Sequence, residues 1–291
     1  MIKNILVPTD FSKCSMYAAK LAAKMAKEVN ATLHFLHVIE VPVVAYDVGM
    51  VNFESLPQAM FMRDLADKNM TQLFKEGFLN GINVKTTIEY DAIYKRINQY
   101  VTKNEVGLIV MGSHGASGIS ELVIGSNAER VTRYAECPVL TVKKEHNVFD
   151  VKNIVLASNF YGETDIMFKE YEQLKGLFSG AKLHLLKVIT SANFEITSRS
   201  KNIIDGFVKQ HKLDNYSVNI YNHDSEEEGI LEFSKEINAD MIIIGTHGRT
   251  GLSHLINGSI AEDLLNHASR PVLSIKIDIP ENKHGVLFPE V

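Results

Sequence analysis

Residues 112–127 read GSHGASGISELVIGSN, and residues 245–260 read GTHGRTGLSHLINGSI. Each stretch is glycine, two residues, glycine, nine residues, then Gly-Ser. Each follows an apolar run, VGLIVM or DMIIIG, that reads as a buried strand, and precedes a segment, NAERVTRYA or IAEDLLNHA, with apolar residues at helical spacing. The local order is therefore strand, glycine-rich loop, helix. Glycine costs backbone entropy and is favoured where φ is positive or where another group comes close to the main chain. Backbone N–H groups of such a loop, with the free N–H groups and positive dipole end of the next helix, make a concave anion site. The simpler alternative is a tight turn with Ser126 and Ser259 as helix N-caps. The recurrence of the whole spacing in two diverged halves favours a phosphate-bearing ligand.

The repetition extends outward from these loops. IKNILVPTDF from Ile2 matches VKNIVLASNF from Val151, ATLHFLHVIE from Ala31 matches AKLHLLKVIT from Ala181, and CPVLTVK from Cys137 matches RPVLSIK from Arg270. The offsets are 149 and 150 for the first two pairs and 133 for the loops and last strands, so the second copy is 17 residues shorter. The loss falls after the second strand, where the first copy has VPVVAYDVGMVNFESLP, read as a loop or lid. Strands are predicted near residues 2–8, 31–39, 82–89, 106–111 and 138–143. Ala18, Leu21, Ala22, Met25 and Val29 form one apolar face of an intervening helix. Apolar strands alternating with helices predict an α/β fold: two doubly wound domains, residues 1–145 and 151–279, each a parallel sheet with helices on both faces. The polar stretch KKEHNVFD, residues 143–150, reads as the linker.

The 291 residues suffice for two cores, and 45% apolar and 22% charged residues exclude wholesale disorder. A net charge of −5 without a basic stripe argues against nucleic acid as the main partner. The N-terminus lacks the pattern of a signal peptide, and no run reaches the ~18 apolar residues of a membrane span. A cytoplasmic location is expected. Cys14 and Cys137 are too few for a disulfide framework or zinc site, and Cys14 reads as a reduced, packed thiol. No repeated ligand spacing predicts a metal site among the histidines. GxGxxG after the first strand, GxxxxGK[ST] and GxSxG are all absent, which weakens dehydrogenase, P-loop and hydrolase readings.

Ligands of doubly wound sheets sit at the carboxyl ends of the strands. The first strand ends VPTDFS, which puts Thr9 and Asp10 there; the Asp10 carboxylate could hold ribose hydroxyls or cap the helix beginning near Ser12. VPTDFS together with GxxG, nine residues, Gly-Ser and CPVLTVK closely resembles the universal stress protein family, in its tandem two-domain form, over nearly the whole chain. The resemblance implies five strands per domain in the order 3-2-1-4-5, association through the last strands and, in the nucleotide-binding branch, ATP at the sheet edge, with Mg²⁺ an optional companion. Asp10 would then hold the ribose, the backbone near Val38 would face the adenine, and Gly112, Gly115, Gly125 and Ser126 would wrap the phosphates, with Pro8, Thr9, Met111, His114 and Asn127 in the same nucleotide-binding set. In the second copy Val188, Gly245, Gly248, Arg249, Gly258 and Ser259 match, but Asn159 replaces the aspartate and Ala157 the proline, which puts nucleotide binding there in question. His114 and His247 stand at the same loop position and read either as phosphate-facing groups or as turn residues. A regulatory or stress-response role is expected, with nucleotide as a structural or signalling ligand, because no residue set in either loop supplies an activated water or a group acceptor. The alternatives are a slow Mg-dependent ATPase that uses Asp10 and a structural adaptor without ligand. The tethered last strands predict pairing of the halves near Leu140 and Leu273, with a homodimer through other surfaces left open.

Overall fold

The computed structural model describes residues 2–40, 56–115, 124–146, 150–247 and 259–277. The expected lid at 41–57, except for Leu56 and Pro57 at the start of a helix, most of both glycine loops and part of the linker therefore lie outside the described residues. The first half runs β1 (Asn4–Pro8), α1 (Lys13–Val29), β2 (Thr32–Ile39), α2 (Pro57–Phe74), β3 (Val84–Tyr90), α3 (Ile93–Lys103), β4 (Leu108–Gly112), α4 (Ser126–Tyr134) and β5 (Val139–Val142). The second half runs β6 (Asn153–Ala157), α5 (Glu163–Leu174), β7 (Lys182–Ile189), α6 (Thr197–His211), β8 (Tyr216–Asn222), α7 (Glu226–Glu236), β9 (Met241–His247), α8 (Ser259–His267) and β10 (Val272–Ile277).

Helix α1 shows how the sequence sets each unit. The Ser12 side chain caps it by accepting from the Ser15 N–H, and Asn30 ends it at φ 54° while its N–H returns to the Ala26 carbonyl. Ala18, Leu21, Ala22 and Met25 bury the expected face, and the small alanines bring the helix close to the sheet. A Cβ on Gly112 of β4 would stand 2.8 Å from the Cys14 carbonyl carbon and 3.0 Å from its Sγ. Glycine is therefore required at 112 by helix-on-sheet packing alone.

Strand order is β3-β2-β1-β4-β5-β10-β9-β6-β7-β8, a continuous ten-stranded sheet. Each half keeps the expected order of five parallel strands, and the halves meet through one antiparallel junction. There Val272 pairs with Thr141, Leu273 with Leu140 and Ser274 with Val139, so the pseudo-twofold axis passes between the two leucines. The Thr141 hydroxyl adds a bond to the Val272 carbonyl at 3.2 Å. On one face of the sheet α1, α2, α5 and α6 share a buried cluster that includes Leu140 and Leu273. On the other, α3, α4, α7 and α8 share a second, with Val131, Val139, Leu264, Leu265 and Val272. Both cores cross the junction. Pairing β5 with β10 removes two open strand edges and leaves β3 and β8 outermost.

With cores and sheet continuous across the junction, the chain is expected to unfold in one transition. Thr141→Pro, which removes a strand N–H at the junction, should split the calorimetric endotherm into two and lower the first. A single unchanged endotherm would show that the junction does not couple the halves.

Candidate functional site

The carboxyl edge of the first sheet is assembled from the β1–α1 turn, the end of β2 and the β4–α4 loop. After Pro8, the Thr9 N–H returns to the Leu36 carbonyl at 2.9 Å. Phe11 takes φ 62°, and the turn is fixed by local bonds: Thr9 Oγ1 accepts from the Phe11 N–H at 3.1 Å and Asp10 Oδ1 from the Ser12 N–H at 3.0 Å. Thr9 is buried and its hydroxyl meets Ser15 Oγ at 3.2 Å, so this side chain serves the turn. Asp10 is exposed at the edge. The cap of α1 is Ser12, and Asp10 supports it through an Asx turn. His37 Nδ1 donates to the Thr9 carbonyl at 2.7 Å, and its ring lies 4.8 Å from that of Phe11. Val38, next on β2, is half-buried beside these groups.

From the other side, Met111 is buried in β4, and Ser113, also buried, bonds His114 Nδ1 at 2.7 Å. The His114 imidazole is thus engaged within its own loop. Gly115 passes so close to Asp10 that an added Cβ would stand 2.8 Å from Oδ2. The loop and the carboxylate therefore meet directly. The loop closes where the Gly125 N–H reaches the Ser113 carbonyl at 2.8 Å. The N-cap of α4 is Gly125 rather than the expected Ser126, which is the first helical residue and exposed; no side chain caps this helix. The helix dipole and the N–H groups of Ser126, Asn127 and Ala128, which have no intrahelical acceptor, face the same edge.

The three loop glycines differ in what requires them. Gly112 is held by Cys14 and Gly115 by Asp10. Gly125 has φ −68° and ψ 142°, open to any residue, and a Cβ there would find nothing nearer than 3.5 Å. Among the described residues nothing around position 125 demands glycine.

The second half arranges the matching edge differently. The β6–α5 turn repeats the first, with Phe160 at φ 62° and Asn159 Oδ1 accepting from the Tyr161 N–H at 2.9 Å. Lys187 stands where β2 has His37. Its ammonium is buried, pairs with Glu195 at 2.5 Å and lies 4.9 Å from the Tyr161 ring centroid. Glu195 also accepts from Ser200 at 2.6 Å and from the Tyr161 hydroxyl at 2.7 Å. Burial pushes the Glu195 carboxyl up, but the bonds from Lys187, Ser200 and Tyr161 and the Lys187 charge outweigh it and hold it at about 2. Asn193 Nδ2 donates to the Val188 carbonyl at 3.3 Å and to Glu226 at 2.5 Å. Gly229 brings α7 so near that its Cβ would lie 2.7 Å from Val188 Cγ1, and Val188 is buried where Val38 is not. The strand backbone matched to the adenine position is thus engaged from within. Gly245 ends its packing against Ile277 and Met167. Gly248, Arg249 and Gly258 lie outside the described residues, and Ser259 begins α8.

Lys187, Asn193, Glu195 and Gly229 were not among the expected site residues. One signal was available: a lysine inside the apolar run LHLLKVI must find a partner when buried. His34 and His184 prove to be core groups. His34 bonds Tyr100 at 2.9 Å and Asn4 at 3.1 Å, and His184 bonds Ser217 at 2.9 Å and Asn153 at 3.1 Å, with burial lowering both pKa values. Among the described residues no three or more His, Cys, Asp or Glu are grouped to hold a metal, and no helix is long and apolar enough to cross a membrane.

Fold and edge together define a tandem pair of doubly wound α/β domains joined through their last strands, each carrying a glycine loop before its final helix. A sequence model of the universal stress protein family matches residues 1–143 and again residues 152–276, and the chain belongs to that family. A universal stress protein of Methanocaldococcus jannaschii is 31% identical over 144 residues, 50% of this chain and 84% of the relative. The universal stress protein E homolog of Haemophilus influenzae is 25% identical over 305 residues, 94% of this chain and 97% of the relative, so the tandem form is shared. The crystal structure of a universal stress protein from Archaeoglobus fulgidus superposes with a TM-score of 0.71 at 20% identity, over 94% of this chain and 98% of that one.

The low Glu195 pKa carries a stability signature. A depressed carboxylate stabilises the fold above its unfolded value, ordinarily near 4.3, and that contribution disappears as pH falls through the folded value of about 2. Glu195→Gln should lower stability at pH 7 by about 3 kcal/mol, because it strands the buried lysine. It should also flatten the loss of stability between about pH 5 and pH 2, followed by urea denaturation. Parallel pH profiles for the two proteins would contradict the assignment.

Proposed function

We propose that this chain is an ATP-binding universal stress protein that holds one nucleotide at the first sheet edge, as a structural or signalling ligand in a regulatory, stress-response role. The observation that carries the reading is Gly125. Neither its dihedral angles nor the described residues around it require glycine. It stands at the uncapped start of α4, where a Cβ would intrude on an anion approaching the helix N–H groups. Phosphates would lie against Gly115, Gly125, Ser126 and Asn127, with Gly112 and His114 shaping the loop behind them. Asp10, exposed beside Gly115, would take the ribose hydroxyls, with Pro8 and Thr9 fixing its turn. The Val38 backbone would face adenine, over Met111.

We take residues 1–145 as the first unit and 151–279 as the second; among the described residues the first keeps Asp10 and Ser126 exposed at its edge. The network of Lys187, Glu195, Asn193 and Gly229 supports an adaptor role for the second unit, whose Val188 carbonyl is already bonded. Mg²⁺ would come with the triphosphate; among the described residues the exposed carboxylate at this edge is that of Asp10. We read the bound nucleotide as a ligand rather than a substrate: among the described residues the groups beside Gly115 are Asp10, bonded to the Ser12 N–H, and His114, bonded to Ser113. A cytoplasmic setting, where ATP is plentiful, suits this role.

The experiment compares wild type, Gly125→Ala and Asp10→Ala by calorimetric titration with Mg-ATP and by thermal unfolding. ATP at ~100-fold over its dissociation constant should stabilise wild type by about 2.7 kcal/mol. Gly125→Ala should keep ligand-free stability within about 1 kcal/mol yet bind ATP about tenfold more weakly, a change of about 1.4 kcal/mol. Asp10→Ala should lose most of the ATP-induced shift. Equal ATP responses in all three proteins would refute the assignment.

A further inference from the structure

The start of α4 is held by a residue of the other half. The Ile124 N–H, immediately before Gly125, donates to Asn266 Oδ1 of α8 at 2.6 Å. The Lys143 ammonium, one residue past β5, donates to the Asn266 main-chain carbonyl. Asn266 is half-buried, and its neighbours Leu264 and Leu265 share a buried core with Ile124, Ala128 and Val131. The amide is thus carried on a helix whose position is set by packing against α4 itself. We infer that Asn266 is a positioning residue through which the second half sets the phosphate affinity of the first, an inference that rests on the nucleotide reading above.

Two features support this direction of control. The first is the disposition of N–H groups: Ile124 donates to Asn266 and Gly125 to Ser113, so the loop's last two amides are fixed. The next ones, of Ser126, Asn127 and Ala128, are left to converge on a ligand. Losing the Asn266 bond frees the segment to rotate and disperses those donors. The second is asymmetry. The pseudo-twofold mate of Asn266 is Arg133 in α4, at the same offset of 133 residues as the loops. A guanidinium has no acceptor, so Arg133 cannot hold a loop N–H of the second half in the same way, and it pairs instead with Glu129 at 3.9 Å. Asn266 acts on the ligand only through Ile124, which separates its role from that of Asp10 or Gly125.

The test uses the full chain with Asn266→Leu and Asn266→Asp, and measures ATP affinity, adenosine affinity and amide exchange at Ile124. Asn266→Leu should weaken ATP about fivefold to tenfold, the worth of one hydrogen bond, should leave adenosine affinity unchanged, and should speed exchange of the Ile124 amide. Asn266→Asp keeps an acceptor oxygen and should keep that amide protected. Equal weakening of ATP and adenosine would mark Asn266 as a general stability residue, and unchanged ATP affinity in Asn266→Leu would overturn the inference. If wild type binds neither ligand, the nucleotide reading fails by itself, while Ile124 exchange still reports whether the anchor exists.

Discussion

The antiparallel register of β5 against β10 is the contact on which the rest of the arrangement depends. Leu140 opposite Leu273 fixes the halves to within one residue, since a slip of one would turn every junction side chain to the wrong face. That register carries both buried clusters across the junction and lays α8 beside α4. The cross-half bonds follow from it. Lys276 reaches Glu136 at 3.1 Å, Lys143 reaches the Asn266 carbonyl, and Asn266 reaches the Ile124 N–H. A one-domain relative would need a second molecule for such contacts; a tether supplies them at an effective concentration of roughly millimolar.

Within that frame the two halves have diverged at the edge where a doubly wound sheet presents its ligand site. In the first, charge and donors stay on the surface: Asp10 and Ser126 are exposed, and α4 begins without a capping side chain. In the second, side chains from the β7–α6 segment engage the end of β7: Glu195 pairs with Lys187, and Asn193 donates to the Val188 carbonyl. A buried lysine paired with a carboxylate that also accepts hydrogen bonds from Ser200 and Tyr161 is costly to break. Among the described residues, the first half leaves Asp10 and Ser126 exposed at this edge, and the second supplies polar partners of its own.

The fold was legible from the sequence because its signals are local and repeated. Apolar runs such as VGLIVM and DMIIIG, the alanine face of α1 and the paired glycine loops each specify an element, and the repeat aligns them. The first-half edge was equally legible in outline, since Pro8, Thr9, Asp10, Gly112, His114 and Gly115 follow each other along short stretches that the turn and loop bring together. Their individual roles were less so. Ser126 gives up the N-cap to Gly125, Thr9 turns inward to Ser15, and Gly112 and Gly115 are glycines for reasons internal to the protein. What the sequence hides is contact across long separations. Nothing local to Asn193 announces that its amide meets the Val188 carbonyl, and Asn266 looks like an ordinary helix-end asparagine until the junction brings it to within 2.6 Å of the Ile124 N–H, 142 residues away in sequence.

The claim at the centre of this account is that nucleotide is held once per chain. Equilibrium dialysis of purified, nucleotide-stripped protein against radiolabelled Mg-ATP, taken to saturation, counts the sites directly. A plateau of about one ATP per chain is the predicted result. A plateau at two would show that the Lys187–Glu195 network does not close the second edge, and no saturable binding would show that the glycine loop of the first half serves structure alone.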